Sequence, residues 1–193
     1  MKKKENQRVM LTKRLLKESL IRLMEEKSIQ KISISELCKN AGINRVTFYN
    51  HYRTQFDLLR EIEVDVAEAL HEELRKQQID GGTPLDKRVE VICTYLKNNS
   101  ELAKLLFENN SAESEFAIDM FRVPHIWETI CSNLSKKYGE KGKKLLVTFM
   151  MHGTYSMIRE WLLSGMEQTP EEIGRLVGGI SIEGYESPQA AEE

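Results

Sequence analysis

Residues 33–52 constrain the fold more than any other part of the chain. They read Ser-Ile-Ser-Glu-Leu-Cys-Lys-Asn-Ala-Gly-Ile-Asn-Arg-Val-Thr-Phe-Tyr-Asn-His-Tyr. Ser33 and Glu36 have the spacing of a helix-opening capping box. Gly42 suits the left-handed residue that ends a helix, and Asn44 is a good N-cap for a second one. Ile34, Leu37 and Cys38 share the inward face of the first helix. In the second, Phe48 and Tyr52 sit four apart and pin it to a core with Ile43, which leaves Arg45, Val46, Tyr49 and Asn50 on the opposite side. Two short helices about a tight turn, the second with hydrogen-bonding side chains outward, form a shape that enters the DNA major groove.

The flanking segments are helical by pattern. Over 9–27, Leu16, Leu20, Leu23 and Met24, with Leu15 and Ile21 beside them, recur at helical spacing. Residues 1–8 are polar and are expected to be unanchored. The spacing predicts helix 44–52, then a long helix over 55–78 opened by Thr54 and Asp57, with Leu58, Leu59, Ile62, Val66 and Leu70 inward. The Ile-Asp-Gly-Gly-Thr-Pro run at 79–84 is the clearest break. Helices are predicted beyond it at 85–98, at 100–107 with Ser100 as cap, at 115–138 with an interruption at Pro124, and at 141–165. Thr169-Pro170-Glu171-Glu172 is a strong start signal for a last helix ending near Gly178 and Gly179. The fold class is therefore all-α, with no strand pattern and no internal repeat.

Charge is unevenly shared. The net charge is -2, yet residues 1–60 hold 14 Lys and Arg against 6 Asp and Glu, and the remainder holds 14 against 24. A basic first third on an acidic body suits a local anion-binding surface. Charge alone does not separate that from a solvated lysine-rich arm. The apolar runs fall short of the ~18 residues of a membrane span, so no membrane association is expected. No apolar stretch follows the N-terminal lysines, so no secretion signal is read. Cys38, Cys93 and Cys131 are scattered, which fits reduced thiols in a cytoplasmic protein. The sequence contains no Gly-rich phosphate loop, no Gly-x-Ser-x-Gly and no His-Glu-x-x-His, and its four His share no ligand spacing. Neither enzyme activity, nor a cofactor, nor a metal is expected.

Residues 9–60 resemble the DNA-binding domain of the tetracycline-repressor (TetR/AcrR) family. The resemblance rests on the run from Ile32 to Cys38, then Ala41 to Arg45, Thr47-Phe48-Tyr49, His51-Tyr52 and Leu58-Leu59. It implies residues 1–60 as a helix-turn-helix DNA-binding domain, its fourth helix continuing to 78, and 61–193 as a helical effector-binding and dimerisation domain. Arg45 is the best candidate for a base edge, because its fork can bond guanine at two points. Asn50 pairs with adenine or meets a phosphate. Thr47, Tyr49 and His51 resemble phosphate-contacting positions, with Tyr49 also within reach of a base. Ser33 and Ser35, with Lys31 nearby, lie where free backbone N–H groups favour a phosphate, and Asn44 opens the reading helix. Plainer roles stand beside these: Ser33 only as a cap, His51 only as packing, and Arg45 as partner to a neighbouring acid.

Two positions depart from the family pattern. Val46 replaces a small residue and suits a thymine methyl. Gln55 replaces a lysine that meets a phosphate, so that contact loses its charge. One such helix reads only a few base pairs, so a homodimer on a palindrome-like operator is expected. The resemblance puts the dimer interface on the last two helices, with Phe149, His152, Gly153, Ser156, Leu176 and Ile180 as candidates. It also implies a small-molecule pocket, for which Phe107, Phe116, Met120, Phe121, His125, Trp127, Met150 and Tyr155 are candidates. The function so implied is a transcriptional repressor released by a small effector. The alternative is a DNA-binding protein of the same fold whose C-terminal domain binds a protein partner, as co-activator or nucleoid factor.

Overall fold

The computed structural model describes residues 2–179, with the side chains of 7–123 and 126–179. Among them it holds nine α-helices and no strand: α1 (Lys2–Glu26), α2 (Ile34–Ala41), α3 (Arg45–Tyr49), α4 (Gln55–Lys76), α5 (Leu85–Asn98), α6 (Ser100–Asn109), α7 (Glu115–Phe121), α8 (Pro124–Leu163) and α9 (Pro170–Gly179). The chain divides into two compact units between Val66 and Ala67, within α4.

The first unit is built by caps and one apolar stripe. α1 begins seven residues earlier than the apolar pattern does, since polar residues extend a helix that its buried half already nucleates. Leu16, Leu20, Leu23 and Met24 are buried, and so are Leu37, Cys38 and Phe48 across from them. The Ser19 hydroxyl, itself buried, donates to the Leu37 carbonyl at 3.0 Å, which ties α1 to α2. Ser33 Oγ accepts from the Glu36 N–H at 3.2 Å. Gly42 adopts φ 66°, ψ 26°, turning the chain where a side chain would be strained. Asn44 Oδ1 accepts from the Val46 N–H at 2.8 Å and starts α3. α3 stops at Tyr49, three residues short of the expected end, and continues as a tight turn in which the His51 and Tyr52 amides both return to the Phe48 carbonyl. Asp57 Oδ2 then accepts from the Arg53 and Thr54 amides, at 2.8 and 2.9 Å, and opens α4.

The second unit depends on breaks and small residues. Pro124, at the first turn of α8, restricts Val123 to extended backbone and separates α7 from α8. α8 breaks again at Gly139, whose φ 67°, ψ 174° is open to glycine alone. That break matches the gap between the two helices expected at 115–138 and 141–165. α6 runs to Asn109, two residues beyond expectation, and Ser100 is its first residue rather than its cap. α9 opens with the full box: Thr169 N–H donates to Glu172 Oε2 at 2.7 Å, and Glu172 N–H to Thr169 Oγ1 at 3.2 Å. α9 lies closely on α5 because Gly174 and Gly178 face it. A Cβ on Gly174 would stand 2.4 Å from the Asp86 carbonyl oxygen. The core below is aromatic: Phe107 and Tyr155 stack at 4.8 Å and Phe116 meets Phe107 edge-on at 5.6 Å.

Candidate nucleic-acid interface

α3 is sorted into two faces by burial. Phe48 is fully buried and Tyr52 nearly so, while Val46 is 69% exposed and Tyr49 50% exposed. Arg45, Asn50, Asn44, Ser33, Ser35 and Lys31 are also exposed, and Thr47, His51 and Gln55 are partly so. None of the eleven candidates is folded away. Among the described residues, the side chains of Lys31, Ser35, Arg45, Thr47, Asn50 and Gln55 form no hydrogen bond or ion pair, so their donors face solvent. Ser33 and Asn44 are occupied as caps, and His51 packs edge-on near Tyr52 at 6.2 Å.

α3 is held from behind by a charged cluster. Tyr52 Oη donates to Glu61 Oε2 at 2.9 Å, and Lys13 donates to the same oxygen at 2.9 Å. Lys17 reaches Glu61 Oε1 at 2.7 Å and Asp65 Oδ2 at 2.5 Å. Lys13 also lies over the Tyr52 ring, 5.6 Å from its centre. Burial opposes the Glu61 charge, but the bonds from Lys17, Lys13 and Tyr52 outweigh it and hold its carboxyl down at about 2. Burial also opposes the Lys17 charge, and bonds to Asp65 and Glu61 reverse that and raise its pKa. Burial, then the bond to Glu61, pushes the Tyr52 phenol up. Three segments distant in sequence are thereby locked around a five-residue helix that has too few turns to hold its own orientation.

The pocket candidates of the second unit separate into two groups. Phe121, Trp127 and Met150 line a cavity of about 80 Å³, walled also by Leu74, Val89 and Val147. Phe107, Phe116, Met120 and Tyr155 do not line it. They are fully buried core, with Phe107 stacked on Tyr155 and edge-on to Phe116, and Arg159 Nε donating to the Phe107 carbonyl at 3.1 Å. The side chain of His125 lies outside the described residues. On α8 and α9, Phe149 is 57% and Leu176 53% exposed. Phe149, Gly153 and Ser156 line one open groove with Met157 and Val177. His152 stands roughly 100° round the helix from Gly153 and faces Glu113 at 3.9 Å instead. Ile180 lies outside the described residues.

Residues 85–181 match the family model for a TetR-type transcriptional regulator C-terminal region, which is half of the chain. The chain belongs to the TetR family of transcriptional regulators. It is 27% identical over 134 residues to the HTH-type transcriptional regulator AcrR of Shigella flexneri, covering 68% of this chain and 62% of that protein. It is 30% identical over 97 residues to an uncharacterized HTH-type transcriptional regulator of Haemophilus influenzae, covering 48% and 47%. The chain thus spans about half to three fifths of these relatives' length. Two solved structures share the fold. The dihydroxyacetone kinase operon activator DhaS has TM-score 0.52 at 19% identity over 87% of this chain and 92% of its own. The fatty acid degradation regulator FadR from Bacillus halodurans has 0.55 at 13% over 85% and 94%.

In this TetR-family chain the sequence reading missed several residues. The Lys13–Lys17–Glu61 cluster joins positions 48 and 44 apart, so no local spacing reveals it. Phe56 leaves 47% of its surface exposed at the head of α4, beside Gln55; it is out of phase with buried Leu58, Leu59 and Ile62, a signal that was present in the pattern. Arg88 interrupts the apolar stripe Leu85, Val89, Ile92 on α5 and borders the cavity.

Proposed function

We propose that this chain binds operator DNA as a homodimer, inserts α3 into the major groove, and represses transcription until a small molecule occupies the second unit. The observation that carries this is the sorting of α3 and the turn after it: Phe48 and Tyr52 inward, Arg45, Val46, Tyr49 and Asn50 outward and exposed. Arg45 reads guanine, Val46 meets a thymine methyl, and Asn50 takes adenine or a phosphate. Thr47, Tyr49, His51, Lys31, Ser33 and Ser35 set the register on phosphates, with Gln55 as an uncharged donor. The exposed Leu145, Phe149 and Leu176, on α8 past Gly139 and on α9, support the dimer face, since large apolar patches mark interfaces. The effector acts through its differential affinity for two spacings of the paired reading helices.

Selection of bound sequences from random DNA at two salt concentrations tests this. A symmetric motif is expected at both, whereas binding that is uniform in sequence and erased by salt favours the nucleoid-factor alternative. Arg45→Ala is expected to cost about 1–3 kcal/mol at one base position. Unchanged preference at every position removes Arg45 from the reading face.

A further inference from the structure

Arg88 carries a buried, unmet donor in the second unit. Lys87 beside it pairs with Glu90 at 2.8 Å. Arg88 does not. Its Nε is buried without a hydrogen-bond partner, and among the described residues it forms no ion pair. It stands on α5 between Leu85 and Ile92, on the face that walls the apolar cavity. The same side chain also borders a cleft of about 380 Å³ that carries Thr83, Asn133 and Lys137. Leu85, Ile130 and Met150 line both spaces, so Arg88 marks the boundary between an apolar chamber and a polar vestibule.

Asp80 is the acid that acts on Arg88 through space. Its Oδ1 is already held by the Gly82 and Thr83 amides and the Thr83 hydroxyl, at 2.9, 2.9 and 3.0 Å. Burial works against the guanidinium charge, and Asp80 only partly offsets it. A half-buried guanidinium with an unmet donor is a poor element of an apolar core unless something else completes it. Its planar fork matches a carboxylate better than any other common group.

We propose that the cavity takes a small amphipathic carboxylate, its aliphatic or aryl body among Phe121, Trp127 and Val147 and its carboxylate on Arg88. The inference rests on reading this cavity as the effector site, and names the class of effector. The probes are hexanoate, octanoate and benzoate, each against its own primary amide, which keeps the shape and loses the charge. Thermal shift and titration calorimetry on the full chain should show the acid binding at least tenfold tighter than the amide. Arg88→Met should abolish that preference while leaving the ligand-free chain no less stable, because it removes an unmet buried donor.

Equal binding of acid and amide to the unaltered chain, or no binding by any of the three acids, overturns the proposal. So does an acid preference that survives Arg88→Met. An Arg88→Met chain that melts well below the parent without ligand overturns it as well, since the guanidinium would then already serve the fold. DNA release, followed separately by fluorescence anisotropy, tells the two readings apart. Carboxylates that bind through Arg88 and leave DNA affinity unchanged keep this site and end the effector reading. DNA release by uncharged compounds alone does the reverse.

Discussion

In residues 2–66 the candidate site is a set of exposed and partly exposed side chains on and around a helix of five residues; in residues 67–179 it is an apolar space bounded by side chains from Leu74 to Thr154. The first surface is built by neighbours in sequence. Asn44 starts α3, Phe48 anchors it, and the residues between have nowhere to go but outward. The second is built by helices that meet only after the chain has folded. Tolerance to change should differ accordingly. Surface positions on α3 alter binding and spare stability, whereas positions around α5 and α9 alter stability first.

The sharpest way to break this contrast is at the anchor. Phe48→Ala empties a fully buried site beneath α3 and should cost about 3–5 kcal/mol in the first unit. It should abolish DNA binding and leave hydrogen exchange of α5 and α9 unchanged. Loss of protection in both units together would show that they do not unfold independently. Gly174→Ala is the mirror experiment. Its Cβ would meet the Asp86 backbone, so about 1–3 kcal/mol should be lost from the second unit, read as a lower melting transition with DNA affinity per folded chain unchanged.

The charged cluster behind α3 gives a pH-dependent test. Glu61 is held at about 2, below the usual 4.5. The unfolded chain therefore binds its proton more readily, and the stabilisation is complete above pH 4.5 and lost as pH falls toward 2. Melting temperature should drop through that window, and Glu61→Gln should flatten part of the drop; identical slopes in both chains would show that the cluster does not buttress α3. The smallest effect is expected at Gln55. Gln55→Lys should add one phosphate contact and steepen the dependence of log affinity on log salt by about 0.9.

Much of the first unit was legible because its signals are short-range. Ser33 with Glu36, Gly42, Asn44, and Thr54 with Asp57 each close a bond within four residues, and the structure holds all of them. The far ends were less legible. α3 stops at Tyr49 because two amides share the Phe48 carbonyl, a choice made by the following turn rather than by helix spacing. In the second unit, Thr169 with Glu172 and the break at Gly139 were equally local and equally readable. The division of its aromatics was not. Phe107 and Phe121 look alike in a helical pattern, yet one stacks on Tyr155 in the core and the other lines the cavity.

The amino-acid order by itself determined where α2, α3, α4 and α9 begin, where the chain breaks at Gly139, and which side of α3 stays wet. Those outcomes depend on caps, glycine dihedrals and a four-residue period, all settled over one or two turns. Tertiary structure alone decided that Lys13, Lys17, Tyr52 and Glu61 meet, that α9 lies on α5 through two glycines, and that Arg88 ends unpaired beside an apolar chamber. The reason is that a side chain's partners across a helix interface depend on how two rods cross, and crossing geometry is set by the whole set of packed faces at once.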